Sequence, residues 1–322
     1  MRVRLLIPLA LMLTLACTST DDHPTSKARY TNAVAVADLN GDAKADLLTV
    51  NGTYTNGLAD PGYASLALQG TAGALGTPVR MNVGGDPAAV AVGDVNGDGR
   101  PDFVVANAAS GTVSVYLQSA TTAGSFTLAA TLQTGGLTPL DVALGDLNQD
   151  GRADIAVATS GANSVMVFFQ AAGTTFPTAL TLALSGDPRA VAIADLNGDL
   201  RPDLAVSTTS DAVSVFFQNA AAGTFASALN LPTGPRPVAL KAVDLNGDGR
   251  LDLVTANYRA GGADGISVIL QTTTAGTFAA TVNVDAGDTY AAGLAVADLD
   301  GDGRPDLVVA CAGNAGTPGN VA

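Results

Sequence analysis

The sequence predicts an all-β fold, a β-propeller of four-stranded blades, on three observations. The 322 residues include 37 Gly and no Trp, and the 29 acidic residues are all Asp. Helical proteins draw heavily on Glu and Lys, whereas chains rich in Gly, Thr and Val favour short strands and tight turns. One acidic segment also occurs six times, at spacings of 49 to 56 residues. Four strands in about fifty residues is the period of a propeller blade.

The first and second strands of each repeat flank the acidic segment. In the second repeat the first apolar stretch spans 89–92 and the second spans 103–106. The second stretch is apolar at consecutive positions, so both of its faces must be covered, as they are when blades stack against one another. A two-layer sandwich would instead predict cleaner alternation of apolar and polar residues.

The third and fourth strands complete the repeat. The third apolar stretch ends in glutamine in five repeats, at Gln69, Gln118, Gln170, Gln218 and Gln271. A Gly-x-Phe turn, as at 124–126, then leads into the fourth stretch. The chain therefore holds five complete repeats and half of a sixth. Its last residues, 319–322, match the opening of a third strand, so we expect the propeller of residues 30–322 to be truncated at its C-terminus.

The N-terminus has the pattern of an export signal. Arg2 and Arg4 precede an apolar run at 5–16 that is too short to span a bilayer, so residues 1–16 are predicted to be a signal peptide. The run ends in Ala-Cys, which resembles a bacterial lipoprotein signal and predicts lipidation at Cys17; ordinary cleavage near Ala16 is the alternative. Residues 17–29 would then be the lipidated cysteine and a polar tether. We expect an exported protein of the bacterial cell envelope, an outer-membrane or cell-surface lipoprotein.

Composition and charge narrow the classes of partner. The apolar fraction of 47% is enough to bury a large core, which argues against disorder despite a net charge of -14 at pH 7. Such an excess of negative charge repels phosphates, so nucleic acid is not expected as a partner. Cations are.

The six acidic segments predict calcium sites. Each is a nine-residue loop with oxygen-bearing side chains at positions 1, 3, 5 and 9, and we number the loops 1 to 6 in chain order. Calcium takes six to eight oxygen ligands, and alternate positions on a tight loop direct their side chains inward while the carbonyl of position 7 adds a ligand. An EF-hand or dockerin-like loop would need an acidic residue at position 12 and a helix after it, but position 12 is Thr or Val here.

The candidate calcium ligands occupy the same five positions in every loop, with up to one ion per loop. They are Asp38, Asn40, Asp42, Lys44 and Asp46; Asp94, Asn96, Asp98, Arg100 and Asp102; Asp146, Asn148, Asp150, Arg152 and Asp154; Asp195, Asn197, Asp199, Arg201 and Asp203; Asp244, Asn246, Asp248, Arg250 and Asp252; and Asp298, Asp300, Asp302, Arg304 and Asp306.

The loops are not equivalent. Position 6 is Gly in four of them and needs a left-handed backbone, so Ala43 and Leu200 should be strained and their loops should bind most weakly. Gln149, at position 4 of loop 3, is not at a ligand position and is expected to matter little. The basic side chains at position 7 are expected to be solvated counter-charges, since only their carbonyls are needed.

These residues resemble the FG-GAP or VCBS repeat family, whose calcium-loop β-propellers include the head of integrin α-subunits. The motif Asp-Leu/Val-Asn-Gly-Asp-Gly-Arg-Pro-Asp-Leu/Phe is approached most closely at 94–103 and 298–307, and the resemblance covers residues 30–322. It implies a ring of seven blades, with calcium loops joining the first and second strands on one face and ligand loops on the opposite face. The Phe-Gly and Gly-Ala-Pro signatures of the family are replaced by Gly-x-Phe turns.

Three functional classes remain open. They are a non-catalytic, surface-tethered binding or adhesion module; a carbohydrate-active enzyme, such as a polysaccharide lyase or hydrolase; and a structural repeat segment of a larger surface protein. The chain has no Glu, and its only histidine is His23 in the tether, so no catalytic residue is assigned. The first class is therefore preferred.

A binding module of this type would take an extracellular protein or glycan and would touch the membrane through its lipid anchor only. Its ligand face would be formed by the loops that follow the second and the fourth strand of each repeat. The longest of these loops are 51–62 and 257–265. Exposed Tyr and Arg are enriched in recognition surfaces. The candidate ligand-binding residues are Tyr54, Tyr258, Arg259 and Tyr290.

Overall fold

The computed structural model describes residues 28–54, 61–258, 265–286, 291–311 and 320–321. This part of the chain forms β-strands and one turn of 3-10 helix, Thr71–Gly73, with no α-helix among the described residues. Within the same ranges, no helix has the length and apolar character needed to cross a membrane. The predicted all-β class is confirmed.

The strands form antiparallel sheets in which consecutive strands are neighbours, one sheet for each sequence repeat. The first sheet contains β1 (Ala28–Ala37), β2 (Asp46–Tyr54), β3 (Pro61–Ala67) and β4 (Val79–Gly85). The second contains β5 (Pro87–Gly93), β6 (Asp102–Asn107), β7 (Thr112–Gln118) and β8 (Phe126–Gln133). The third contains β9 (Thr138–Gly145), β10 (Asp154–Ser160), β11 (Ser164–Phe168) and β12 (Ala179–Ala183).

The remaining sheets follow the same order. The fourth contains β13 (Pro188–Ala194), β14 (Asp203–Thr208), β15 (Ala212–Phe216) and β16 (Leu229–Pro232). The fifth contains β17 (Pro237–Val243), β18 (Asp252–Asn257), β19 (Ile266–Ile269) and β20 (Val282–Val284). The sixth contains β21 (Ala291–Ala297), β22 (Asp306–Cys311) and β23 (Asn320–Val321). Repeated four-stranded sheets of this kind are the blades of a β-propeller.

The sixth sheet confirms that a third strand begins near residue 320. Asn320 pairs with Cys311 and Val321 pairs with Ala310, so residues 320–321 form the third strand of this sheet. Cys311 is buried in β22, as expected for a strand thiol.

The chain divides into two compact units. Unit 1 comprises Met1–Leu144 and Gln170–Pro177, and unit 2 comprises Gly145–Phe169 and Thr178–Ala322. The boundary passes through the third sheet. Loops 1 and 2 belong to unit 1, and loops 3 to 6 belong to unit 2.

The second strand is almost completely buried in the second to fifth sheets. Every residue of β6, β14 and β18 is buried, from the aspartate at the start to the last residue. The prediction that both faces of this strand are covered is therefore confirmed for these sheets. In β22 it is wrong, because Leu307 and Val308 are only partly buried and Ala310 is exposed. In unit 1, the Phe103 ring of β6 stacks on Tyr116 at 4.7 Å between centroids and meets Phe126 edge-on at 5.0 Å.

Candidate metal centre

Each acidic loop joins the first strand of its blade to the second. Loop 1 (38–46), for example, leaves β1 after Ala37 and ends on Asp46, the first residue of β2. In all six blades the position-9 aspartate begins the second strand. The position-1 aspartate directly follows the first strand, so two rigid strands fix both ends of the loop.

The position-1 aspartate organises the turn by accepting hydrogen bonds from backbone N–H groups. In loop 2, Asp94 Oδ1 accepts from Gly97 N at 2.8 Å and Asp98 N at 3.1 Å, and its Oδ2 accepts from Gly99 N at 2.8 Å. The bonds from positions 5 and 6 occur in all six loops. These bonds turn the side chains of positions 1, 3 and 5 toward the interior of one tight loop.

Positions 3 and 5 continue this pattern. In loop 2, Asn96 Oδ1 accepts from Asp98 N at 3.0 Å, and Asp98 Oδ1 accepts from Arg100 N at 2.9 Å. The corresponding oxygens of loop 6, on Asp300 and Asp302, accept at 3.1 Å and 2.9 Å. One oxygen of each side chain is therefore oriented by the backbone, which prepares the ligand set before any cation arrives.

Two positions of the loop adopt a left-handed backbone. Position 6 has φ of 62° at Ala43 and 66° at Leu200, as expected, and 80° to 83° where it is Gly in the other four loops. Position 4 has positive φ as well, and at Gln149 it is 58°. The expectation that Gln149 matters little is wrong, because a non-glycine residue there carries the same backbone strain as Ala43 and Leu200.

The position-9 aspartate has a structural role that the sequence interpretation missed. In loops 1 to 5 it is completely buried. Its Oδ2 accepts from the position-2 N–H in every loop, at 2.8 to 3.0 Å. In loops 1, 2, 4 and 5 its Oδ1 accepts from the N–H of the glutamine that closes the third apolar stretch, as in Gln118 to Asp102 at 2.8 Å. The repeated glutamine was the signal in the sequence.

The basic residues of position 7 are paired rather than simply solvated, which corrects the expectation for five loops. Each donates to the position-5 aspartate of its own loop, and Lys44 does so at 2.7 Å from Asp42. The other pairs are Arg100 with Asp98, Arg152 with Asp150, Arg201 with Asp199, and Arg250 with Asp248. One cationic side chain faces three carboxylates in each of these loops, so the excess negative charge is only partly balanced.

Loop 6 brings three carboxylates together most closely. One ligand oxygen from each of Asp298, Asp300 and Asp306 lies within 4.8 Å of the other two. This is the one such acidic group of three within the described ranges. Loop 6 alone has Asp at position 3, where the other loops have Asn. A cation at that point would meet oxygen donors from positions 1, 3 and 9.

Burial and accepted hydrogen bonds shift the pKa values of the loop carboxyl groups in opposite directions. Burial, with the nearby charges of Asp199 and Asp195, raises the pKa of Asp203 to about 6 against the hydrogen bonds that it accepts. Burial also raises the pKa of Asp102 and Asp252. By contrast, the pKa of Asp244 is lowered, chiefly by the hydrogen bond from Gly249 N. The buried position-9 carboxylates thus lack a full counter-charge.

This donor set fits calcium. All side-chain donors are carboxylate or amide oxygens, which suit a hard cation, and each loop offers at least four of them with a main-chain carbonyl at position 7. The residues that would hold the ion are those of positions 1, 3, 5, 7 and 9. The ion would supply the missing positive charge among carboxylates that otherwise repel one another.

The opposite ends of the blades carry shorter loops than expected. Residues 51–54 continue β2, and Asn257 is the last residue of β18, so both predicted loops lose part of their length to strands. Tyr258 is half-buried, with the guanidinium carbon of Arg236 at 5.3 Å from its ring centroid. Its ring therefore packs against the exposed side chain of Arg236.

Several predicted residues lie outside the described part of the chain. They are the signal and tether residues 1–27 with Cys17 and His23, together with Arg259 and Tyr290; for Tyr54 the backbone in β2 is described but the side chain is not.

The match to a known family lies in the repeated part of the sequence. A model of the FG-GAP-like repeat matches residues 94–157, 146–206, 197–255 and 256–309, which together cover more than half of the chain. No curated protein matches the chain at a significant level.

Solved structures share the fold at low sequence identity. A candidate 6-phosphogluconolactonase from Bacteroides fragilis is 17% identical with a TM-score of 0.61, and the alignment covers 87% of this chain and 76% of the lactonase chain. A protein from Lactobacillus plantarum is 15% identical with a TM-score of 0.54, and the alignment covers 91% of this chain and 83% of that protein. The V. cholerae biofilm matrix protein Bap1 is 18% identical with a TM-score of 0.52, and the alignment covers 84% of this chain and 42% of the Bap1 chain.

Proposed function

The chain belongs to the FG-GAP-like repeat family, and from this premise we propose that it is a calcium-binding β-propeller that acts as a non-catalytic binding or adhesion module. One observation carries the proposal. The same hydrogen-bonded loop, with oxygens at the same positions, recurs between the first two strands of all six blades. Solvated acidic turns have no reason to repeat this arrangement.

Calcium would make the propeller a rigid support. A cation that binds the loop links the end of the first strand to the start of the second through positions 1 and 9. It also neutralises carboxylates that repel one another in the free loop. The short turns at the other ends of the blades would then be held in place for a partner, an extracellular protein or a glycan.

The composition supports a non-catalytic role. The chain has no Glu and one His, and these are among the side chains used most often for general acid–base catalysis. Eighteen Asp at positions 1, 5 and 9 of the six loops, with Asp300, are committed to the metal loops.

A direct binding experiment tests the calcium proposal. We expect isothermal titration of the chelator-stripped chain to detect several calcium ions per molecule. Asp298→Ala should remove one of them, because it deletes the position-1 carboxylate of loop 6. The matched control is Asp285→Asn, which changes an exposed aspartate outside the loops. Equal stoichiometry in wild type and Asp298→Ala, or no heat of binding at all, would contradict the proposal.

We also propose that the chain is exported and tethered at the bacterial cell surface through lipid on Cys17, on the basis of the signal-like residues 1–17. Labelled palmitate should enter the wild-type chain in a bacterial host and be absent from Cys17→Ser. Label that persists in Cys17→Ser would point to another site, and a wild-type chain without label would leave an ordinary signal peptide.

A screen identifies the partner. The calcium-loaded chain should bind members of a glycan or extracellular-protein array, and EDTA should abolish that binding because the loops would lose their support. Binding that is unchanged in EDTA would separate the recognition surface from the metal loops.

A further inference from the structure

Four buried glutamines reach from one blade to the acidic loop of the blade before it. The Nε2 of Gln118 donates to Leu39 O of loop 1 at 2.7 Å, and that of Gln170 donates to Val95 O of loop 2 at 2.8 Å. Gln218 and Gln271 make the same bond to the position-2 carbonyls of loops 3 and 4, at Leu147 and Leu196. All four glutamines are at most 5% exposed.

The same glutamines are tied to the loop of their own blade. The backbone N–H groups of Gln118, Gln218 and Gln271 donate to the position-9 aspartates at 2.7 to 2.8 Å. The side-chain amides of Gln118 and Gln218 also donate to the position-8 carbonyls of their own loops, at 3.1 and 3.3 Å. Gln118, Gln218 and Gln271 therefore each contact two successive loops.

The position-2 residue lies at the centre of this arrangement. It stands between ligand positions 1 and 3, and its N–H donates to the position-9 aspartate of the same loop, as Leu39 does to Asp46 at 2.8 Å. Its carbonyl accepts from the glutamine of the next blade. Both polar groups of this residue are thus fixed, one by a candidate metal ligand and the other by the glutamine.

We propose that Gln118, Gln170, Gln218 and Gln271 are positioning residues for calcium, each holding the ligand set of the preceding loop in its binding geometry. The inference rests on the proposed calcium function. It assigns to residues outside the acidic motif a part in metal affinity. The glutamine acts through the position-2 peptide and does not itself bind the ion.

A purely structural role would have a different signature. A glutamine that only filled space between blades would, on removal, weaken the fold without favouring one loop. A positioning glutamine weakens metal binding chiefly in the preceding loop and affects the loop of its own blade less, because its backbone N–H still donates to the position-9 aspartate there. The direction of the effect separates the two roles.

The test is a calcium titration of the full-length chain followed by hydrogen exchange and mass spectrometry, which reports each loop as its own peptide. Gln118→Met keeps the size of the side chain and removes the donor. We expect the calcium concentration that half-protects loop 1 to rise about tenfold, the effect of one lost hydrogen bond to a buried carbonyl. Loop 5 should keep its wild-type midpoint. Loop 2 should shift clearly less than loop 1, because it loses only the 3.1 Å side-chain bond to Pro101 O.

Two further variants make the result specific. Gln271→Met should move the shift to loop 4 (195–203) and spare loop 1. The control is Gln133→Met, the same chemical change on an exposed glutamine at the end of β8, and it should shift no loop. The melting temperature of each variant is measured at saturating calcium, so that loss of fold is seen separately from loss of affinity.

Clear results would overturn the inference. One is a fall in melting temperature with every calcium midpoint unchanged, and another is an equal shift in the preceding loop and the blade's own loop. Failure of the calcium function looks different, since no loop of the wild-type chain would then become protected by calcium. That outcome would overturn the proposed function and, with it, the inference.

Discussion

At the scale of single residues, the acidic loop is a compromise between backbone geometry and charge. Positions 4 and 6 must be left-handed, and no described heavy atom lies within 4 Å of where a Cβ would stand at Gly99 or Gly249. The only cost of a side chain at position 6 is therefore conformational. Leu200 accepts that cost with its side chain 84% exposed.

Leu200→Gly should stabilise the protein. Glycine relieves the left-handed strain, loses no packing and costs some entropy in the unfolded chain, for a net gain of about 0.5–1 kcal/mol. The matched reverse change, Gly249→Ala, should destabilise by a similar amount. Denaturant unfolding in EDTA measures both, free of metal. A destabilising Leu200→Gly would show that the leucine side chain has a role that its exposure conceals.

The raised pKa of Asp203 gives a pH dependence with a defined sign. Its folded pKa of about 6 lies above its ordinary value of 3.8, so the metal-free folded state holds the proton more tightly and gains stability as pH falls through 6 toward 4. The lowered pKa values of Asp38, Asp42, Asp187 and Asp244 act below that window.

In EDTA, the melting temperature should therefore rise by roughly 2–4 °C between pH 7 and pH 5. In saturating calcium the trend should reverse, because protons and the cation compete for the same carboxylates. Asp203→Asn should flatten the EDTA profile. Identical pH profiles with and without calcium would contradict this account.

At the scale of the element, burial is concentrated in the second strands of the second to fifth sheets. Their residues are buried on both faces, while the fourth strand is largely exposed, as in β20, where all three residues are exposed. The second strand could be predicted because its apolar residues occupy consecutive positions in the sequence. The aromatic stack of blade 2 was not predictable, since Phe103, Tyr116 and Phe126 lie on three different strands and meet only when the sheet forms.

Phe103→Ala should be among the most damaging changes in unit 1. The ring is completely buried and contacts two other rings, so its removal should cost about 3–5 kcal/mol. Phe126→Ala, which removes a half-buried partner of the same cluster, should cost clearly less. Urea unfolding of the two variants, followed by far-ultraviolet circular dichroism, makes the comparison. Equal losses would mean that the cluster does not centre on Phe103.

Some parts of the candidate metal site could be predicted from the sequence and others could not. The ligand positions and the strain at Ala43 and Leu200 follow from spacing, because a nine-residue turn leaves little geometric freedom. The pairing of Arg100 with Asp98 and the strain at Gln149 were missed, since each depends on where the folded loop directs a side chain or a peptide. The reach of Gln118 to Leu39 was beyond sequence reasoning, because these residues are 79 positions apart.

At the scale of the whole molecule, charge is the dominant feature. The chain carries a net charge of -14, and much of it is concentrated in six small loops. Compact states with such self-repulsion are destabilised unless counter-ions bind. Bound calcium would therefore act on each loop and on the molecule as a whole.

Chelation should lower the melting temperature sharply. A single site at one hundred times its dissociation constant contributes about 2.7 kcal/mol, or roughly 5–10 °C, and several sites contribute more. Differential scanning calorimetry in calcium and in EDTA measures the difference. Sodium chloride added to the EDTA sample is the control, because screening alone should restore only a small part of the loss. A melting curve that is the same in both buffers would exclude calcium as a structural ion.

The glutamine contacts also impose an order on biosynthesis. The four bonds join residues 79, 75, 71 and 75 positions apart, which is about one and a half repeats. At 5–20 residues per second, a ribosome needs about 4–15 s to supply the glutamine that completes a given loop. Loops 1 to 4 would therefore mature one after another from the N-terminus, each finished by the repeat that follows it in translation.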